Sequence, residues 1–228
     1  MSTQPTFVAN YRSQITQFVN GGAPAQAVWR AGPNGSRIHL MSATQDDTTT
    51  AVMAVYQGKI LTDNSKASPL LPEDYQGLTP ILALTNSTNS TITRTNGSFI
   101  QDGWSVSKLL AVLKAWDNPA NQVIAHPTTV ATQTLTFTGV VFNGAAASPS
   151  PNLQLAAVNL LWTVSMVASA GTGGVAAINL MSTTYYPGFL ASPDTFLALG
   201  PNEVLVVNCG TLPAANKSIM ITVVGGDW

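Results

Sequence analysis

Val28-Trp29-Arg30-Ala31-Gly32-Pro33-Asn34-Gly35-Ser36-Arg37-Ile38-His39-Leu40-Met41 is the stretch that decides the fold class. Its centre, Ala31 to Gly35, combines a proline that presets φ with glycine and asparagine, which tolerate positive φ, so a tight reversal is the economical conformation. The apolar flanks then become two extended segments joined by a turn. The same punctuation continues outward. Thr50-Ala51-Val52-Met53-Ala54-Val55-Tyr56 is a further extended run, with Asp46-Asp47 before it and Gln57-Gly58-Lys59 after it, each expected to turn the chain. Leu153 to Ala168, Val175 to Met181, Phe196 to Leu199, Glu203 to Asn208 and Ser218 to Val224 complete the series, separated by Gly, Pro or Asn. Short strands at near-regular intervals predict an all-β chain, a jelly-roll-like β-sandwich.

Composition narrows the function. Of 228 residues, nine are Lys or Arg and ten are Asp or Glu, 8% in all, against roughly 25% in an ordinary soluble domain. Acid-base catalysis, metal binding and nucleic-acid binding all need concentrated titratable or cationic groups, so each is disfavoured. The net charge of −1 supplies no electrostatic footprint for nucleic acid or an anionic membrane surface. Thr, Ser, Asn, Ala, Val and Leu dominate instead, residues suited to pleated sheets and neutral contacts. No basic and apolar leader and no run of about 18 apolar residues is visible, so synthesis and folding in a cytoplasm are expected. The five Asn-X-Ser/Thr matches, at Asn34, Asn86, Asn89, Asn96 and Asn216, are what this composition yields by chance.

Residues 1–24 read as an N-terminal arm. Phe7, Tyr11, Ile15 and Phe18 lie among polar neighbours and the segment ends at Asn20-Gly21-Gly22-Ala23-Pro24, a strong breaker. The spacing fits a short, fraying helix or a segment that docks on a neighbouring subunit. Pro69, Pro72 and Pro80 mark a connector, and Asn143-Gly144-Ala145-Ala146-Ala147-Ser148-Pro149-Ser150-Pro151 marks another. Residues 78–143 between them form an inserted small β domain. The outer β-sandwich is then discontinuous, built from 25–77 and 144–228. Inside the insert, Val106, Leu109, Leu110, Leu113 and Trp116 fit helical spacing, while Val106, Lys108, Leu110, Val112 and Lys114 alternate.

Chemistry-bearing residues are few. Asp46-Asp47 and Glu73-Asp74 lack calcium-loop spacing and read as solvated loops. His39 lies in an alternating strand and His126 precedes Pro127; neither has a Cys, Asp or Glu companion at metal-ligand spacing. Gly171-Thr172-Gly173-Gly174 lacks the Lys-Ser/Thr of a phosphate loop and reads as a hairpin turn. Cys209, the single cysteine, follows Val204-Leu205-Val206-Val207 and reads as a small buried hydrophobe. No catalytic residue, cofactor or metal site is therefore expected.

Several segments resemble known proteins. Ala31-Gly32-Pro33-Asn34-Gly35-Ser36-Arg37-Ile38 resembles the Ala-Gly-X-Asn-Gly-Thr-Arg-Ile turn and strand of tailed-bacteriophage virion proteins, the β-sandwich proteins that decorate or cement the capsid. Thr48 to Tyr56 is similar to that family's Thr-rich entry to the next strand, and Val223-Val224-Gly225-Gly226-Asp227-Trp228 to its Gly-Gly-Asp-aromatic ending. Thr91 to Val106, including Asn96-Gly97-Ser98-Phe99-Ile100-Gln101-Asp102-Gly103-Trp104, resembles a small β module of phage structural proteins. That module continues as Gly-Asp where this chain has Ser107-Lys108; the likeness still implies a strand over 106–115.

The resemblance implies a non-enzymatic structural protein on the virion's capsid surface, with the major capsid protein and copies of itself, as a homotrimer, for partners. No nucleic acid, membrane or small-molecule substrate is expected. A tail, baseplate or fibre component with a host-attachment role is the alternative. Phe7, Tyr11, Phe18 and Trp228 are the expected interface residues, because aromatics near a chain end gain most by docking elsewhere.

Overall fold

The computed structural model describes residues 10–60, 84–85, 90–94, 98–101, 103–114, 118–143, 154–170, 175–182, 184–185 and 196–228. Strands account for nearly all of its regular structure, and every pairing between them is antiparallel. They are β1 (Asn10–Val19), β2 (Ala25–Arg30), β3 (Ser36–Gln45), β4 (Ala51–Ile60), β5 (Leu84–Thr85), β6 (Thr91–Arg94), β7 (Leu109–Lys114), β8 (Ile124–Ala125), β9 (Thr129–Val130), β10 (Thr134–Thr136), β11 (Gln154–Met166), β12 (Ala176–Asn179), β13 (Leu197–Leu199), β14 (Glu203–Cys209) and β15 (Ser218–Asp227).

Among the described residues three curled sheets result. One runs β1-β15-β3-β12, with β13 pairing the beginning of the β3 edge whose end pairs β12. A second runs β2-β14-β4-β11-β7-β8, and a third, smaller one runs β5-β6-β10-β9. The first four strands alternate between the two large sheets; of the last five, β11 and β14 lie in the second sheet and β12, β13 and β15 in the first. Their inward residues merge into one core: Phe18, Ile38, Met41, Ile219, Ile221 and Val223 from one sheet meet Trp29, Met53, Val55, Trp162, Leu205 and Val207 from the other. Burying each such side chain stabilises by roughly 1.5–3 kcal/mol.

Consecutive apolar residues find partners on both faces of the second sheet. Along β14, Leu205 and Val207 enter the shared core, while Val204 and Val206 join Ala25, Ala111, Ala156 and Val158 on the opposite side. Strand β7 repeats the arrangement: Leu110 and Val112 pack with Ile92, Trp104 and Leu135, and Ala111 and Leu113 with the β14 side. Two-sided burial explains why this segment carries apolar residues at helical spacing yet forms a strand.

Four expectations change. Residues 10–19 are not part of an arm: β1 pairs β15 along its whole length, from Asn10 opposite Asp227 to Val19 opposite Ser218. Alternation decides it, since Thr16 and Phe18 turn inward while Ile15, Gln17 and Val19 turn outward. Gln57-Gly58-Lys59 is no turn, because β4 continues through it to Ile60. The small β5-β6-β10-β9 sheet is drawn from residues 84–136, inside the expected insert, yet β7 and β8 of the same segment extend the second large sheet. Asp47 is not in a solvated loop but is buried. The arm before residue 10, the connector at 61–83 with Glu73-Asp74, the linker at 144–153 and Gly171-Thr172-Gly173-Gly174 lie outside the described residues.

Candidate functional site

The Gly-Pro-Asn-Gly turn and the Gly-Gly-Asp-Trp segment, 190 residues apart in sequence, meet in space. Gly35 adopts φ +98°, and a Cβ there would lie 2.6 Å from the Leu199 carbonyl oxygen and 2.9 Å from Trp228 Cδ1, so only glycine fits. The Trp228 N–H donates to Gly35 O at 3.2 Å. The Asp227 carboxylate accepts from Gly32 N–H at 3.1 Å, from Arg12 at 3.3 Å and from the Ser36 hydroxyl. Arg12 also donates to Arg30 O and lies 4.1 Å over the Trp29 ring. Arg37 lies 3.5 Å over the Phe196 ring and 5.6 Å from that of Trp228. The arrangement closes one end of the β3-β15 ribbon.

The expected interface residues separate accordingly. Phe18 is fully buried in the main core, where no partner can reach it. Trp228 is half-buried and engaged within its own chain. Phe7 lies outside the described residues. Tyr11 is 67% exposed, with its ring 6.2 Å from that of His39. His39 is the unpaired residue of a bulge between the pairs Leu40–Val224 and Ile38–Gly225, and its pKa is lowered by partial desolvation and by the Arg37 charge.

Tyr11 opens onto a face that the aromatic-centred reading missed. Outward side chains of β1, β15, β3 and β12 form the rows Ser13–Val224–Leu40, Ile15–Thr222–Ser42–Asn179 and Gln17–Met220–Thr44–Ala177. None is charged. Ile15 is 67% exposed, and Leu40 and Met220 are also open to solvent. The alternation of Ser13, Ile15, Gln17 and Val19 was the available signal; Phe7, Tyr11, Ile15 and Phe18 obscured it by mixing both faces.

At the other end of β3, the paired acids organise backbone. Asp46 accepts from Ser218 N–H at 2.7 Å; Asp47 accepts from Ala214 N–H at 2.7 Å and Thr49 N–H at 3.0 Å. The Ala214 bond holds the Asp47 carboxyl below its ordinary value, against an opposing desolvation, with further help from Thr49 and Thr48. A lowered folded pKa contributes stability that is present above the unfolded value and lost as pH falls through the folded one. The urea midpoint should therefore fall on acidification below the usual carboxylate range, and Asp47→Asn should lower it at neutral pH and flatten that dependence. An unchanged acid profile in the variant would refute the assignment. Cys209 is buried, donates its thiol to Thr211 O at 2.8 Å, and has its pKa raised by burial.

A groove of about 560 Å³ crosses the end of β4, the middle of β11, the start of β14 and the turn leading into β7. Lys59, Lys108, His126, Asn159, Leu160 and Glu203 line it. Lys59 and Glu203 are direct cross-strand neighbours, yet Glu203 Oε2 accepts from Gln57 Nε2 and Gly200 N–H, each at 2.7 Å. Among the described residues the one ion pair is Arg12–Asp227, so both groove lysines are without a carboxylate partner. No group of three His, Cys, Asp or Glu gathers as a metal set among the described residues, and no helix there is long and apolar enough to cross a membrane. No protein-family model, curated protein or solved structure matches this chain.

Proposed function

We propose that this chain is a structural virion protein of a tailed bacteriophage, a head decoration or cement protein that binds the outside of the capsid lattice and stabilises it, acting without catalysis. The three uncharged outward rows of β1, β15, β3 and β12, from Ser13 to Ala177, carry the reading. With no charge to steer or repel, such a face gains affinity by apolar burial, at roughly 25 cal/mol per Å², and by amide and hydroxyl hydrogen bonds. The major capsid protein and copies of the chain, as a homotrimer, are its proposed partners.

The strand orders support a jelly-roll-like β-sandwich. The orders β1-β15-β3-β12 and β2-β14-β4-β11, with the first four strands alternating between sheets, are the pattern of two Greek keys, a fold that recurs in capsid proteins. The segment between β4 and β11 is the insert on that scheme.

Undecorated heads incubated with the purified protein should bind it, with affinity changing less than about threefold between low and high salt because no surface ion pairs are made. Placing charge on the exposed face, Ile15→Lys with Leu40→Glu, should abolish binding while the thermal midpoint stays within a few degrees. Unchanged occupancy in that variant would remove the face from the interface. Density for the chain on the tail or baseplate in a particle reconstruction would overturn the head assignment in favour of the attachment alternative.

A further inference from the structure

We infer that the groove between β4, β11, β14 and the turn before β7 is a binding site for a small acidic saccharide, a carboxylate or phosphate group carried on a hydroxylated body. The inference does not rest on the capsid reading.

The cations come from separate places in the fold. Lys59 is on β4, and Lys108 precedes β7, its ammonium 3.4 Å from where a Cβ on Gly103 would lie. Neither lysine is in an ion pair among the described residues. In a chain with nine Lys and Arg in all, two such ammonium groups on one concavity form a local excess of positive charge. The carboxylate best placed to quench it is held aside: Glu203, opposite Lys59, is bound through Oε2 to Gln57 and to the Gly200 N–H. The groove thus sets two ammonium groups against one carboxylate that makes no ion pair with either, a net positive charge that favours an anion from solution.

The remaining lining specifies the body of the ligand. Asn159 supplies an amide donor and acceptor, Ser107 a hydroxyl and His126 an imidazole. Glu203 retains acceptor capacity for sugar hydroxyls. Leu160, 52% exposed, offers an apolar patch suited to the C–H face of a pyranose ring. A volume of about 560 Å³ accommodates a body of a few sugar rings and lies inside the range usual for small-molecule sites.

Titration of the full chain by isothermal calorimetry with trigalacturonate, glucose 6-phosphate, maltotriose and inorganic phosphate tests the site. Trigalacturonate or glucose 6-phosphate should bind at about 1 mM or tighter, and which of the two binds better identifies the acid. Maltotriose should bind at least tenfold more weakly, as should inorganic phosphate. Lys59→Gln with Lys108→Gln, both exposed and expected to leave the thermal midpoint unchanged, should weaken the acidic saccharide roughly tenfold or more, the loss of charge-assisted contacts. Absence of binding by both acidic sugars overturns the proposal. So does maltotriose or inorganic phosphate binding as tightly as the acidic sugar, or an affinity unaffected by the double substitution.

Discussion

Phe18→Ala is expected to lower the unfolding free energy by about 3–5 kcal/mol, the cost of emptying a fully packed aromatic site. Phe18 has no solvent exposure and belongs to the core shared by the two large sheets. Its cross-strand partner on β15 is Ile219, equally buried, so truncation leaves a void between strands already fixed by their backbone ladder. For a chain of this size each kcal/mol moves the thermal midpoint by roughly 2–4 °C, so a fall on the order of 10 °C should be seen. Tyr11→Ala on the same strand should change stability by no more than about 0.5 kcal/mol, because its ring is largely in solvent. Urea titration of both variants distinguishes a sheet strand from a detachable arm. A Phe18 variant as stable as the parent would mean that β1 is not integral to the fold.

Gly58→Ala should be at least as damaging, by about 3 kcal/mol or more, although alanine is only one methyl larger. Gly58 lies in mid-strand on β4, opposite Val158 of β11 and Val204 of β14. A Cβ there would fall well inside the contact radius of the Ala157 carbonyl oxygen and 2.6 Å from Val158 Cγ1. Backbone cannot move aside as a flexible side chain can, so β4 and β11 would have to separate or slip in register, disturbing the ladder that joins the insert to the second sheet. Gly210→Ala is the control: its nearest non-local neighbour would be Val52 O at 3.5 Å, ordinary contact, and a change within about 0.5 kcal/mol is expected. Equal midpoints for the two variants, by thermal or urea melts, would refute the close approach.

The same two residues mark how far the sequence could be read. Gly58 beside Gln57 and Lys59 carries the local signature of a turn, and nothing within a few residues reveals that a neighbouring strand passes so close. Phe18 sits among residues whose spacing fits a frayed helix, and its inward direction depends on a strand 200 residues later. Asp46-Asp47 looks like solvated punctuation until Ala214 and Ser218 supply the backbone donors that hold the two carboxylates. In each case the deciding partner is remote. The candidate sites were less legible still: the groove draws Lys59, Lys108, His126 and Glu203 from four separated segments with no shared spacing, and the neutral face emerges only once four strands are in register.

What the sequence determined by itself was the class of structure and the character of its surface. Side-chain alternation, β-branched and aromatic runs and Gly-Pro-Asn punctuation are local, so strands such as Ser36–Gln45 and Ser218–Asp227 could be read where they stand. The scarcity of charge, 8% of residues, is likewise a property of composition that folding cannot alter. Tertiary structure decided which strands pair, which face of each is inward, and what the turn chemistry does: Gly32 to Ser36 receives Asp227 and Trp228. Antiparallel register is set by simultaneous packing of both large sheets on one core, a condition on the whole chain that no short window of residues contains.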